Sequence, residues 1–70
     1  MLQEELDILA GQLDEIVVSL ERMRDEAGRS DSGRRLALAL TNVEQGLHWL
    51  RSVDIVEVTQ DDGSIVERYA

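Results

Sequence analysis

From Leu2 onward the apolar residues fall at Leu2, Leu6, Leu9, Leu13, Ile16, Leu20, Met23 and Ala27, a spacing that alternates four and three without a break. Such a repeat lines a narrow seam along one helix, so this stretch is predicted as an amphipathic rod built for helix-on-helix packing. Over residues 2–27 the rod would measure about 39 Å at ~1.5 Å per residue. Glu4, Glu5 and Asp7 suit the positive end of its dipole, and Arg22 and Arg24 the negative end. Gly28 stands where a terminating residue of positive φ belongs.

Residues 28–33 (Gly-Arg-Ser-Asp-Ser-Gly) carry turn chemistry, with Asp31 and Ser32 as N-cap candidates for a second helix over 34–52. Its apolar line is Leu36, Leu40, Val43, Leu47 and Leu50, again at four-three spacing. A connection this short makes the two helices antiparallel neighbours. After Ser52 the pattern changes. Ile55-Val56-Glu57-Val58-Thr59 is rich in β-branched residues, Gln60-Asp61-Asp62-Gly63 is a turn signal, and Ser64 to Tyr69 reads as a returning strand. The expected fold is mainly α: an antiparallel αα-hairpin over 1–53, followed by a short C-terminal β-hairpin-like tail over 54–70. The rival is a second helix continuing to about Val56. An isolated hairpin of strands is marginal, so the tail is expected to lie on the helices or to pair with a partner's strands.

Seventy residues with no cysteine and no proline make one small domain without disulfide staples. Two helices bury one seam, and a chain this size rarely reaches stability on that alone. Ile8, Val17, Val18, Ala37, Leu38 and Trp49 widen the apolar faces beyond the seams. Assembly into an oligomeric helical bundle, most simply a symmetric dimer, is therefore expected.

The net charge of −8 argues against long nucleic acids and anionic membranes as partners. The longest apolar run, Leu36 to Leu40, is far below the roughly 20 residues of a membrane span. The first residues are acidic where a signal peptide would be basic, and the lack of cysteine suits a reducing compartment. A cytoplasmic location is expected. All seven positive charges are arginine, whose planar fork suits phosphate and carboxylate and stacks on flat rings. Six of them fall between residues 22 and 51, so the middle of the chain is locally basic.

Catalysis finds no support. His48 is the single histidine, and no nucleophile is spaced to use it. Asp61-Asp62-Gly63 lacks the ligand pattern of a calcium loop, and Glu4, Glu5, Asp7 and Glu44 read as solvated carboxylates rather than a metal bundle. No enzyme activity, cofactor or metal is expected. Gly11 and Gly46 lie inside helices at a cost of about 1 kcal/mol each relative to Ala. Either something approaches them closely or they are tolerated surface positions.

Binding has better candidates. Arg34, Thr41 and Gln45 are separated by seven and four residues and share one helix face. Arg34 and Arg35, beside the N–H groups of a helix start, can hold an anion. Trp49, Tyr69 and the arginine planes are the surfaces available for stacking on a base, with core packing the alternative for Trp49.

This stretch resembles the small phage helical-hairpin proteins of the anti-CBASS and Thoeris anti-defence kind, sponges for bacterial immune second messengers. The resemblance rests on Arg34, Ala39-Leu40-Thr41, Val43-Glu44-Gln45-Gly46 and Trp49-Leu50, with Gln3-Glu4-Glu5-Leu6-Asp7 and Gln12-Leu13-Asp14-Glu15-Ile16 resembling the family's first helix. It covers roughly residues 3–53. It implies a non-catalytic homo-oligomer that binds cyclic oligonucleotides or a cyclic ADP-ribose isomer in the cytoplasm of an infected bacterium, and so starves a defence effector. By the same resemblance Arg34 would grip a phosphate and Thr41 would sit on the motif face. The chain lacks lysine, and its only tyrosine is Tyr69, whereas cyclic-dinucleotide binders of the family use a Tyr and a first-helix Lys. The tail, through Arg68 or Tyr69, is then a candidate source of lid contacts. The expected ligand set is Arg34, Arg35, Thr41, Gln45, Trp49, Arg68 and Tyr69. A reading from a different class is a self-assembling helical-hairpin adaptor or structural protein whose apolar face receives another protein.

Overall fold

The computed structural model describes residues 1–70. It is mainly helical: helix α1 (Leu2–Ala27), helix α2 (Asp31–Arg51), then strands β1 (Ile55–Thr59) and β2 (Ile65–Tyr69). The strands form one antiparallel two-stranded sheet with Ile55 opposite Tyr69 and Thr59 opposite Ile65. The molecule is a thin rod, 60 × 16 × 10 Å along its principal axes.

Gly28 ends α1 with a φ of 63°, and its N–H donates to the Arg24 carbonyl oxygen. The sequence placed the next N-cap at Asp31 or Ser32 and the helix from 34. The cap is Ser30 instead, whose Oγ accepts from the Gly33 N–H at 3.0 Å. Helix α2 therefore begins at Asp31 and the connection shrinks to three residues. This tight turn depends on Gly33, the one buried glycine. A Cβ there would lie far inside van der Waals contact with the Gly28 carbonyl oxygen, and 3.2 Å from its carbon. At Gly11 and Gly46, by contrast, a Cβ meets nothing of this chain within 4 Å, so no close approach within the chain accounts for either glycine.

The core is a line along α2: Gly33, Leu40 and Leu47, one heptad apart, are the buried residues of the chain. They face α1, and Leu36, Val43 and Leu50 flank them half-buried, as the four-three spacing predicts. Along α1 the outcome differs. Leu6, Leu13, Leu20 and Ala27 are half-buried, but their flank toward α2 is Ala10, Val17 and Arg24 rather than Leu9, Ile16 and Met23, which are exposed. A heptad line has two flanks, one three residues and the other four residues after each central position. The four-three repeat puts Leu9, Ile16 and Met23 in the seam, but the short turn at 28–30 swings α2 over the other flank.

Helix α2 stops at Arg51 rather than running on to Val56; the N–H groups of Ser52 and Val53 close the last turn on His48, Trp49 and Leu50 carbonyls. The tail docks on the start of α1. Met1 offers no side-chain oxygen to the free N–H groups there, and the Glu67 carboxylate of β2 accepts from the Gln3 N–H at 3.1 Å. A negative charge at that end also suits the helix dipole. The turn between the strands is fixed by Asp62, whose Oδ1 accepts from both the N–H (3.0 Å) and the hydroxyl (2.6 Å) of Ser64. Those bonds hold the Asp62 carboxyl below its ordinary pKa. No helix is long and apolar enough to cross a membrane.

Candidate functional site

Of the seven residues singled out for ligand binding, three come together. Thr41, Gln45 and Trp49 occupy positions one turn apart on α2 and, with Glu44 and His48, line an open hollow of about 510 Å³ on the solvent side of that helix. The i, i+4, i+8 spacing dictates this, since residues three and four apart stack on one helix face. Trp49 is not a core residue. Its side chain is 68% exposed, and the His48 ring meets it edge-on with centroids 5.6 Å apart. Thr41 already uses its hydroxyl proton, donating to the Ala37 carbonyl oxygen at 3.0 Å, so toward a ligand it remains an acceptor. Gln45 keeps both an acceptor and a two-proton donor free of partners in the chain.

Arg34 and Arg35 lie two turns away at the start of α2 and do not line the hollow. Both guanidinium groups close on one carboxylate. Arg34 donates to Asp31 Oδ1 through Nε (3.3 Å) and Nη2 (3.0 Å), while Arg35 Nη2 stands 3.0 Å from Asp31 Oδ2. All three side chains are more than half exposed. Exposed pairs of this kind contribute on the order of 0–1 kcal/mol, so a multivalent anion can displace Asp31 at little cost. Arg68 and Tyr69 sit on β2, opposite Val56 and Ile55, and neither lines the hollow. The structure thus gathers Thr41, Gln45 and Trp49, pairs Arg34 with Arg35 on Asp31, and holds Arg68 and Tyr69 in the sheet.

Sequence reasoning passed over Glu44 and His48 as parts of this hollow. The signal is present in the sequence, because 41, 44, 45, 48 and 49 form one i, i+3, i+4 patch. A second hollow of about 320 Å³ lies between the N-terminal half of α1 and the end of α2, where Gly11 leaves open space and Arg51 Nη2 pairs with the Asp14 carboxylate. No group of three or more His, Asp or Glu side chains is arranged to hold a metal ion. No protein-family model, curated protein or solved structure matches this chain.

Proposed function

We propose that the chain is a non-catalytic binding protein that sequesters a cyclic nucleotide second messenger, a cyclic oligonucleotide or a cyclic ADP-ribose isomer, in the cytoplasm of a phage-infected bacterium. The observation that carries this reading is Trp49. A tryptophan held in the open next to Thr41 and Gln45 contributes nothing to the core, and it offers a flat face for a base beside two groups that form hydrogen bonds. The resemblance of Arg34 and of the run from Ala39 to Leu50 to the anti-defence sponges supports the ligand class. Arg34 and Arg35 lie two turns beyond Thr41, and for Arg34 the phosphate contact is what the resemblance implies, once Asp31 gives way. The charge of −8 repels long nucleic acids while a compact di- or trianion needs only a few focused arginines.

Because Trp49 is the single tryptophan, its fluorescence reports on the hollow directly. Titration with a panel of cyclic di- and trinucleotides and cyclic ADP-ribose isomers, backed by calorimetry, is expected to yield at least one ligand binding below ~10 μM, about −7 kcal/mol. Absence of any such ligand refutes the reading for that panel. The adaptor reading is favoured by a separate observation, the exposed line of Leu9, Ile16 and Met23 on α1. A thermal melt separates the two, since a ligand that binds the folded state raises the midpoint by mass action and an adaptor is indifferent to nucleotides.

A further inference from the structure

The two broad sides of the hairpin are chemically unlike. At 100° per residue, Leu9, Ile16 and Met23 project roughly at right angles to the line joining the helices. Because α2 runs back antiparallel, the positions it turns to that same side are Ala39, Val43, Gly46 and Leu50. The opposite side carries Asp7, Asp14 and Glu21 from α1 and Arg34, His48 and Arg51 from α2, and the Asp14–Arg51 ion pair bridges the helices there. One side is therefore apolar and the other charged.

The apolar side is also shaped for close packing. Leu9, Ile16 and Met23 form a ridge, each between 42% and 49% exposed. Across from it Ala39 and Gly46, the smallest residues on that side, make a low strip that can serve as a channel, and a Cβ at Gly46 would meet no atom of this chain within 4 Å. The Asp14–Arg51 pair sets the relative height of the helices and leaves Ile16 within about one turn of Gly46. The surface area points the same way. A compact monomer of 7.9 kDa exposes about 4,400 Å², whereas this chain exposes 5496 Å². The surplus, roughly 1,100 Å², exceeds the ~800 Å² that each partner buries in a standard stable interface, so the area suffices for a second copy to cover.

We infer that a second copy of this chain docks on the apolar side, the Leu9–Ile16–Met23 ridge of each copy seated along the Ala39–Gly46 channel of the other about a twofold axis. Such an interface is isologous, as closed dimers require. Gly46 then has its reason: its missing side chain lets the partner's ridge approach α2. The Trp49 hollow is lined mainly by Thr41, Glu44, Gln45 and His48, which are off this side, with Trp49 at its border, so the inference does not depend on a nucleotide binding there. Association by this side buries apolar surface between two chains of charge −8, so it strengthens as salt screens their repulsion.

Two glycine variants test it without endangering the fold. Gly46→Glu and Gly11→Glu add the same charge at helix positions where a side chain meets open space within the chain. Only position 46 lies on the apolar side. Sedimentation equilibrium of ligand-free protein is expected to give the native chain and Gly11→Glu at least twice the 7.9 kDa chain mass. Gly46→Glu and Ile16→Asp are expected to weaken association at least tenfold while far-UV circular dichroism stays helical. Val18→Asp, on the charged side, should leave association within threefold of native. A native chain that stays monomeric, equal effects at positions 11 and 46, or dissociation by Val18→Asp but not Ile16→Asp overturns the inference. Nucleotide titration is a separate readout, so failure of one leaves the other standing.

Discussion

Replacing Gly33 by alanine sets two effects against each other, and the structure fixes the sign. Inside a helix Ala is better than Gly by about 1 kcal/mol, which alone would predict a more stable protein. At Gly33, however, the new methyl would be driven into the Gly28 carbonyl group, which is backbone and cannot rotate aside. Overpacking of this kind costs about 1–3 kcal/mol, sometimes more. Relieving it means opening the turn, which also weakens the Gly33 N–H bond to Ser30 Oγ, a cap of the kind whose loss costs about 0.5–2 kcal/mol. The net expectation is a loss of about 1–3 kcal/mol. For a domain near this length each kcal/mol shifts the midpoint by about 4–8 °C, so the melting temperature should fall by roughly 5–20 °C. Gly11→Ala is the matched control: open space surrounds it, so the helix preference acts alone and the midpoint should rise. Both are read by far-UV circular dichroism melts at one fixed chain concentration, because association would shift the midpoint. A Gly33→Ala protein that melts at or above the native temperature refutes the argument that this contact sets the turn.

Other substitutions address the core, the site and the tail. Leu40→Ala, at the more deeply buried of the two core leucines, should cost about 2–5 kcal/mol by urea denaturation. Trp49→Ala should weaken binding of whichever cyclic nucleotide is found by about 1–3 kcal/mol in calorimetry while leaving the melting temperature near native, since its ring lies outside the core. Arg34→Ala should weaken the same binding by more than about 1 kcal/mol, whereas Asp31→Ala, which removes the carboxylate that both guanidinium groups close on, should tighten it. In the tail, Asp62 has a folded pKa below its ordinary value because ionised carboxylate accepts both Ser64 bonds. Its contribution to the turn is therefore present above the ordinary aspartate pKa and is lost as pH falls through the lowered value. An NMR acid titration should show the Ser64 amide moving with Asp62, and Asp62→Asn should flatten that response. Glu67→Ala should fray the first turn of α1 and increase amide exchange at Gln3, while Glu67→Gln, which keeps an acceptor oxygen, should change it less.

What the residues determine by themselves is periodic or local. The four-three spacing of Leu36, Leu40, Val43, Leu47 and Leu50 defines the buried line of α2, and the β-branched run at 55–59 with the glycine turn at 63 defines the hairpin of strands. These follow from neighbouring backbone geometry, which a sequence expresses directly. The patch of Thr41, Gln45 and Trp49 was legible for the same reason, being one helix face. Other features depend on how separate segments meet. The side of α1 that α2 covers was set by the three-residue turn at 28–30, so Leu9, Ile16 and Met23, which the repeat places in the seam, came to lie outside while Ala10, Val17 and Arg24 turn toward α2. The pairing of Arg34 and Arg35 on Asp31 is local, at i,i+3 and i,i+4 within one helix, whereas the capping of α1 by Glu67 from 64 residues away required tertiary proximity that no spacing rule contains. A heptad says that a helix needs a partner; only the folded chain decides which flank the partner takes, and which is left open.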